Sequence, residues 1–433
     1  MARVGLSLSG GGYRAAAFHL GTLRALNNLG VLNKIDVVST ISGGSITGAA
    51  WLLSQKPYPK FEEDMINALH NKSVIRFVFT SRSFLFLALI VLLFLGASGY
   101  FLWFTGYPAL SFLVLGALIY VLFRFQFKLF PVSKEIGRAY DKFFFNNKTL
   151  RDLPERPDLA IGSTNLLTTR PFTFSRRKMG DSYYDTLTPP IKFKHENFPI
   201  AQAVVASSCV PFAFTPVTIS KEFYANPSDF EKTDTKLVDG GVFDNQGIHK
   251  VTNENSSWYC NIVLVSDAGN KLPFKQSFNN TIILLIRTVD VFMDRIKDFQ
   301  IAQNLYKRDL VSDKEIAYIS LGWDLENCIP GFVNNLIAGQ IPDMVVDAHL
   351  LMPEWVKNPE AYIPQITQHL KERTNFKSRA DNKKYISALA LARDVGTNLT
   401  KLSFDQINAL ADHAELFTEL QAKLYVPFLV QNR

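Results

Sequence analysis

A serine between an apolar run and a glycine pair is the first place in this sequence where chemistry could occur. Residues 36–45 read DVVSTISGGS, and a helical pattern follows from Ile46 to Leu53. A strand that turns sharply into a helix can present a serine hydroxyl at the turn, an arrangement known as a nucleophile elbow. Because this hydroxyl is a weak nucleophile, it also needs a base and nearby N–H donors. The pattern makes Ser42 a candidate nucleophile.

The elbow pattern is G-x-S-x-G, and this sequence departs from it at one position. Gly44 fills the last place, but Thr40 stands where the first glycine belongs. Strand and helix approach each other closely at that position, so we expect the β-branched side chain of Thr40 to crowd them. A shifted elbow or a loss of activity would follow. The alternative is a plain strand-to-helix turn with a serine N-cap.

A glycine loop precedes this stretch. Residues 9–14 read SGGGYR between a predicted strand and a helix predicted over 15–29. Backbone N–H groups that converge beside the positive end of a helix suit a phosphate or a developing oxyanion. The Gly-Lys-Ser/Thr of a P-loop is missing, but Ala15 is an allowed variant of the dinucleotide pattern. Asp36 therefore keeps dinucleotide binding open, although it stands at the start of a predicted strand rather than at its end.

A third motif completes a recognisable set. Residues 236–245 predict a strand that ends in an acidic glycine turn, with Asp239 before two glycines. The three motifs in this order, together with ASSCVP at 206–211, resemble the patatin-like phospholipases. The resemblance covers about residues 3–270 apart from an apolar insertion. It implies an α/β fold, a patatin-like three-layer α/β/α core.

The resemblance also implies roles for particular residues. Ser42 would be the nucleophile and Asp239 its base, with Gly10, Gly11 and Gly12 as oxyanion donors. Arg14, which follows the glycines, would order the loop or meet a substrate phosphate. Ser42 would attack an ester carbonyl, and water would release the acyl-enzyme. No metal and no other cofactor is required.

The insertion predicts a transmembrane hairpin. No charged residue occurs from Phe84 to Phe123, and the run divides at TGYP, residues 105–108. A membrane-crossing helix needs about 20 apolar residues. Residues 84–104 are long enough, whereas residues 109–123 need Phe125 and Phe127 as well. We expect two spans that contact the bilayer through residues 84–127. A buried helical pair in a soluble core, or a hairpin that dips into one leaflet, are the alternatives.

The charges around the hairpin predict its orientation. Ser42 precedes the hairpin and Asp239 follows it, so both flanks must lie on one side of the membrane. The flanks are positively charged and the turn is not, which by the positive-inside rule places the catalytic domain and both termini in the cytosol. The flanking positive residues are Lys72, Arg76, Arg82, Arg124, Lys128 and Lys134.

Composition bounds the remaining possibilities. The chain has 433 residues, of which 47% are hydrophobic and 20% charged, enough for a large core. The net charge is +7 without a nucleic-acid motif, so no nucleic-acid partner is expected. Cys209, Cys260 and Cys328 share no metal-ligand spacing and are predicted to be reduced thiols. The oligomeric state stays open.

The predicted organisation has four parts. Residues 1–78 and 131–275 form the two parts of the catalytic core, and residues 79–130 form the hairpin insertion. Residues 276–433 form a mainly helical C-terminal region packed on the core. Ser403 and Gln406 predict a capping box at the start of the last helix.

The predicted function is that of a membrane-attached serine lipid acyl hydrolase of the phospholipase or lysophospholipase type, acting on membrane lipid. One alternative is a Ser-Asp-His triad with His19, His195, His249 or His349 as base. The others are a catalytically degenerate membrane scaffold with the same fold and a nucleotide-binding protein that uses the glycine loop.

Overall fold

The computed structural model describes residues 2–270, 280–306, 314–376 and 383–430. The strands of the described residues form one mixed sheet. They are β1 (Val4–Leu8), β2 (Val37–Ile41), β3 (Asp158–Asn165), β4 (Arg170–Phe174), β5 (Met179–Gly180), β6 (Val217–Thr218), β7 (Lys236–Asp239), β8 (Ile262–Asp267) and β9 (Glu315–Ser320).

The sheet order is β5-β4-β3-β2-β1-β8-β9, and β7 pairs with both β3 and β6. The run from β3 through β2, β1 and β8 to β9 is parallel. Strands β4 and β7 both lie antiparallel to β3. The parallel strands therefore end at one edge, where loops that carry functional groups usually lie.

Helices account for most of the remaining described chain. The α-helices are α1 (Gly12–Asn28), α2 (Gly43–Leu53), α3 (Tyr58–Asn71), α4 (Val74–Phe79), α5 (Arg82–Phe104), α6 (Leu110–Leu129), α7 (Val132–Tyr140), α8 (Ser182–Thr186), α9 (Ile200–Ser208), α10 (Ser228–Thr233), α11 (Gly241–Asp244), α12 (Ile248–Thr252), α13 (Thr281–Ile301), α14 (Cys328–Ile337), α15 (Asp343–His349), α16 (Pro353–Lys357), α17 (Ile363–Thr374), α18 (Lys383–Asp394) and α19 (Phe404–Tyr425). Short 3₁₀-helices or π-helices occupy Leu32–Lys34, Asp141–Phe145, Leu150–Asp152, Lys221–Phe223, Ala302–Tyr306, Leu325–Asn327, Pro359–Tyr362 and Pro427–Leu429.

The sheet has a hydrophobic core on each face, as alternating strand side chains require. Leu6 and Val38 belong to the larger core with α1, α2 and α19. Val37 and Val263 belong to the second core, which α12 and Trp258 cover. The fold is thus an α/β fold in which helices cover both faces of a mixed sheet.

The C-terminal helix α19 packs along α1. Its predicted capping box is confirmed, since the Gln406 N–H donates to Ser403 Oγ at 3.1 Å and the Ser403 N–H donates to Gln406 Oε1 at 2.9 Å. Arg24 of α1 forms salt bridges with Asp412 and Glu415 of α19 at 2.9 and 2.8 Å. The proposed domain boundaries remain predictions.

Helices α5 and α6 form the hairpin. Both are long and apolar enough to cross a membrane. The buried residues of the two helices are Ser98 on α5 and Ser111 and Leu118 on α6. The hydroxyl groups of Ser98 and Ser111 lie 2.6 Å apart. Only 6% and 11% of the most apolar stretches of the two helices are buried, which argues against the alternative of a helical pair buried in a soluble core.

The structure confirms the predicted state of the cysteines and shifts the predicted starts of two helices. All three cysteines are free and buried, as predicted. Helix α1 begins at Gly12 rather than Ala15, and α2 begins at Gly43 rather than Ile46. In both cases the glycines after the strand form the first turn of the helix, so the strand and helix are joined more tightly than the apolar pattern indicates.

Candidate active site

The sheet register brings Ser42 and Asp239 together from distant parts of the chain. Strand β3 continues past the end of β2, because Ile41 pairs with Gly162 and the next residue of β3, Ser163, pairs with Asp239. Strand β7 is antiparallel to β3, so its carboxyl end meets the carboxyl end of β2 head-on. Ser42 follows β2 directly and Asp239 ends β7. The two side chains therefore meet.

Ser42 adopts the backbone conformation of an elbow. Its φ is 48° and its ψ is −115°, in a region that non-glycine residues rarely populate. Its N–H donates to Ser207 Oγ at 2.9 Å. A Cβ atom at Gly44 would lie 2.3 Å from the Leu8 carbonyl oxygen, so only glycine lets α2 approach β1. Strain of this kind is characteristic of functional sites.

The expected crowding at Thr40 does not shift the elbow. Thr40 Cγ2 lies 2.7 Å from the position that a Cβ atom on Gly48 would occupy. Its hydroxyl accepts a hydrogen bond from Ser45 Oγ at 3.0 Å. The elbow stays at Ser42 because the space between strand and helix comes from a glycine on the helix, not from one on the strand. The predicted effect of Thr40 on activity stays a prediction.

Asp239 is a buried carboxylate with few partners. It is 5% exposed, and its Oδ1 accepts from the Gly241 N–H at 2.7 Å. Burial raises its pKa to about 7, against the opposing effect of the hydrogen bonds that Gly241 and the Ser42 side chain donate. A base that titrates near neutral pH is well matched to accepting a proton from a serine.

The glycine loop leaves two of its three predicted oxyanion donors without a partner among the described residues. The Gly10 N–H donates to the Asn245 carbonyl oxygen at 2.9 Å, so the prediction that it serves an oxyanion is wrong. Gly11 and Gly12 have φ of 139° and 59°. Their N–H groups have no acceptor among the residues that the structure describes. Gly11 and Gly12 thus remain as donors.

Arg14 lies beside this loop. Its Nη2 is 3.4 Å from the position of a Cβ atom on Gly11, and its Nη1 donates to the Val395 carbonyl oxygen at 3.4 Å. Burial lowers its pKa, and nearby Asp267 opposes this shift. Of the two predicted roles, these contacts agree with ordering of the loop.

Three residues around the site were missed by sequence reasoning. Asn245 Oδ1 would lie 2.3 Å from a Cβ atom on Gly10, and Met293 Cε of α13 would lie 2.8 Å from one on Gly241. The Asn398 carbonyl oxygen accepts from the Tyr13 N–H at 2.9 Å. Together they help to close the site, and Ser42 is only 7% exposed. Asn245 ends a predicted turn, whereas the other two lie in segments without any motif.

The triad alternative finds no base. No described histidine hydrogen-bonds to Ser42 or Asp239. His19 is held by Ser266 Oγ at 2.8 Å and the Ser9 carbonyl oxygen at 2.9 Å, and burial lowers its pKa to about 4. His349 contacts the Leu424 carbonyl oxygen at 2.8 Å. The remaining two candidates, His195 and His249, line a cavity that does not include the serine.

The dinucleotide alternative also lacks the required geometry. Asp36 precedes the amino end of β2 and accepts from the Val4 N–H at 3.0 Å. The glycine loop lies at the opposite end of the sheet, after the carboxyl end of β1. In addition, Asn398 occupies the Tyr13 N–H at the start of α1. An acidic residue so placed cannot reach a ribose bound at the loop.

The mixed sheet, the serine elbow and the glycine loop define an α/β protein of the patatin type. The family model for patatin-like phospholipase matches residues 6–251. The chain belongs to the patatin-like phospholipase family, and this membership supports a lipid acyl hydrolase activity. No curated protein matches the sequence significantly.

Two proteins are among the matching solved structures. VipD from Legionella pneumophila has 13% sequence identity and a TM-score of 0.32, with 99% of this chain and 92% of that chain covered. Human GIVD cytosolic phospholipase A2 has 14% identity and a TM-score of 0.37, with 61% and 45% covered. Its complex with methyl gamma-linolenyl fluorophosphonate and terbium chloride has 12% identity and a TM-score of 0.44, with 99% and 58% covered. The chain thus spans about half the length of the human enzyme.

Proposed function

We propose that this protein is a membrane-attached serine hydrolase that cleaves carboxylic ester bonds of membrane lipids, as a phospholipase or lysophospholipase does. One observation carries the proposal. Ser42 lies at a strained elbow directly after β2, and the strand register brings it to the buried Asp239 carboxylate, whose pKa burial raises to about 7. A nucleophile that contacts a base of matched pKa is the minimum arrangement for acyl transfer.

The reaction takes place in two steps. Ser42 Oγ attacks the ester carbonyl carbon while Asp239 accepts the hydroxyl proton, and the N–H groups of Gly11 and Gly12 donate to the oxyanion. The tetrahedral intermediate collapses to an acyl-serine, and the alcohol leaves with the proton from Asp239. Water then attacks the acyl-serine while Asp239 accepts its proton. The bond between the acyl carbon and Ser42 Oγ breaks, the fatty acid leaves, and Asp239 returns the proton to Ser42 Oγ.

The organisation of the chain supports a lipid substrate. Residues 1–78 and 131–275 would form one catalytic core that the hairpin, residues 79–130, interrupts, with residues 276–433 packed on that core. Helices α5 and α6 expose apolar side chains such as Leu92 (66% exposed) and Phe112 (76% exposed). A bilayer would cover these side chains, and it would hold the catalytic core next to lipid esters.

Substitution of the nucleophile tests the proposed activity. Ser42→Ala removes the attacking oxygen, so we expect hydrolysis of a phospholipid in mixed micelles to fall by about 10³-fold or more. Ser54→Ala, the same substitution just after the other end of α2, is the control and should keep full turnover. Full activity in Ser42→Ala would contradict the proposal. A wild-type protein without any turnover would favour the degenerate scaffold.

The proposed topology places both flanks of the hairpin in the cytosol. Gly106→Cys lies in the exposed turn between α5 and α6, and Lys134→Cys lies at an exposed position after the second span. The native cysteines are buried and give little background. On intact cells, a membrane-impermeant thiol reagent should label only Gly106→Cys. Labelling of Lys134→Cys would contradict the orientation, and labelling of neither would favour a hairpin that dips into one leaflet.

A further inference from the structure

A groove of about 420 Å³ lies between the hairpin and the catalytic core. One wall comes from the base of the hairpin, with Leu87 of α5 and Leu122 and Phe127 of α6. The other wall is the loop after α9, where Phe212 and Phe214 contribute. The volume is in the range of about 300–1,000 Å³ that is typical of ligand sites.

The chemistry of the groove fits a lipid acyl chain. Hydrocarbon and aromatic side chains form most of the lining, and among the charged residue types none contributes. Arg124 and Lys128, both exposed, lie in the same two turns of α6. Long basic side chains at the end of a membrane helix reach toward lipid head groups. The groove therefore starts at the level where a phospholipid head group gives way to its acyl chains.

The loop that forms the second wall is attached to both members of the proposed dyad. The Ser42 N–H donates to Ser207 Oγ at 2.9 Å, and the Asp239 N–H donates to the Cys209 carbonyl oxygen at 2.9 Å. The chain then turns back, because Cys209 Sγ donates to the Thr215 carbonyl oxygen at 2.8 Å. A ligand against Phe212 and Phe214 thus touches the loop whose first residues hold the site.

The same loop contains an unusual conformation. Phe212 has a φ of 69° and is 64% exposed. A positive φ is rare for a bulky side chain, and it costs about 1–3 kcal/mol. Bare exposure of a phenyl ring in water is also unfavourable. An apolar ligand beside Phe212 would cover the ring.

We infer that this groove binds one acyl chain of the lipid substrate and guides it from the bilayer to Ser42. The inference rests on the proposed hydrolase function. Ser42 is only 7% exposed, so part of the structure around it must move when the ester enters. The hairpin then has a second role in addition to anchoring, since it forms half of the acyl-chain site.

Chain-length selectivity tests this inference. Leu122→Trp fills the groove from the hairpin, and Ala213→Trp fills it from the loop. The matched control is Leu113→Trp, also on α6, which is 68% exposed and lies outside the groove. The kcat/KM is measured for the palmitate and butyrate esters of one chromogenic alcohol in mixed micelles. Both groove variants should lower the palmitate-to-butyrate ratio about tenfold, and Leu113→Trp should leave it unchanged.

The outcomes separate this inference from the proposed function. If wild-type protein hydrolyses neither ester, the hydrolase function fails. If it hydrolyses both and the ratio stays unchanged in the two groove variants, the acyl-chain site is wrong and the hydrolase function stands. As a measurement independent of variant folding, a photoreactive palmitate analogue should label the wild-type loop at 210–215. Labelling only on the outer surfaces of α5 and α6 would show bulk lipid contact and overturn the inference.

Discussion

The catalytic core and the hairpin both bury serines, but in opposite surroundings. In the core, Ser42 is buried, and the ionisable carboxyl group of Asp239 is its proposed base. In the hairpin, the Ser98 and Ser111 hydroxyls bond to each other at 2.6 Å between two helices whose other side chains are mostly apolar and at least partly exposed. The hairpin serines satisfy each other's hydroxyls, as buried hydroxyls would need to do in the proposed bilayer, which offers no hydrogen-bond partners.

The difference shows what each serine can do. Two paired hydroxyls satisfy each other and hold helices together, but neither can take a proton from the other near neutral pH. Ser42 instead has strain, a base and two free N–H groups around it. Burial of a serine therefore does not by itself indicate that it is reactive. Its reactivity depends on the group beside its hydroxyl.

The comparison depends most strongly on Asp239. In Asp239→Asn the partner of Ser42 can no longer accept a proton, so we expect turnover to fall by about 10³-fold. Asp234→Asn, at a half-buried position just before β7, should keep turnover. Hydrolysis assays on both variants make the test, and an active Asp239→Asn protein would make Ser42 no different from the hairpin serines.

The same variant should be more stable than the wild type at high pH. Burial raises the Asp239 pKa to about 7 from its usual value near 4. The stability that the carboxyl contributes is therefore fully present below pH 4 and is lost as the pH rises through 7. Asparagine avoids this loss. The Tm of Asp239→Asn minus that of the wild type should be a few degrees larger at pH 8 than at pH 5, and an equal difference at both would contradict the raised pKa.

The oxyanion donors give a smaller expected effect. Alanine at Gly11 cannot readily keep a φ of 139°, so its N–H should turn away and kcat should fall about 10²-fold with little change in KM. Gly30→Ala is the control for backbone strain, since Gly30 has a φ of 69° at the other end of α1. Steady-state kinetics that show an unchanged kcat in Gly11→Ala would remove the loop from the site.

The packing of the elbow provides a finer test. Gly48→Ala should destabilise the protein by about 1–3 kcal/mol through contact with Thr40 Cγ2. Thr40→Ser removes that methyl group and keeps the hydroxyl that Ser45 contacts. In the Thr40→Ser background the cost of Gly48→Ala should largely disappear. A double-mutant cycle on thermal unfolding measures this coupling, and additive effects would contradict it.

The hairpin pair should show the smallest effect. A double-mutant cycle of Ser98→Ala and Ser111→Ala should give a coupling of about 0.6–2 kcal/mol in detergent, because each single variant leaves the same hydrogen bond broken. The butyrate ester should still be hydrolysed at the wild-type rate. A loss of that activity comparable to Asp239→Asn would mean that the two regions do not act separately.

The sequence predicted what depends on neighbouring residues. Ser42, Gly11, Gly12 and the hairpin follow from short patterns, because turns and apolar helices are local. What it could not predict depends on distant backbone. The Asn245 carbonyl oxygen accepts a hydrogen bond from the Gly10 N–H, and the missing side chain of Gly48 leaves space for Thr40. No sequence motif indicates either contact. Likewise, the sequence alone does not give the register in which β2 and β7 pair with β3, and this register brings Ser42 and Asp239 together.

The pH dependence of fluorophosphonate labelling tests the central claim most directly, since it reports the nucleophile and its base together. We expect the probe to modify Ser42, with a labelling rate that rises with pH through an apparent pKa of about 7. In Asp239→Asn the labelling should be slow and without that rise. Modification of a different residue, or a rate on Ser42 that does not change between pH 5 and 9, would contradict the account.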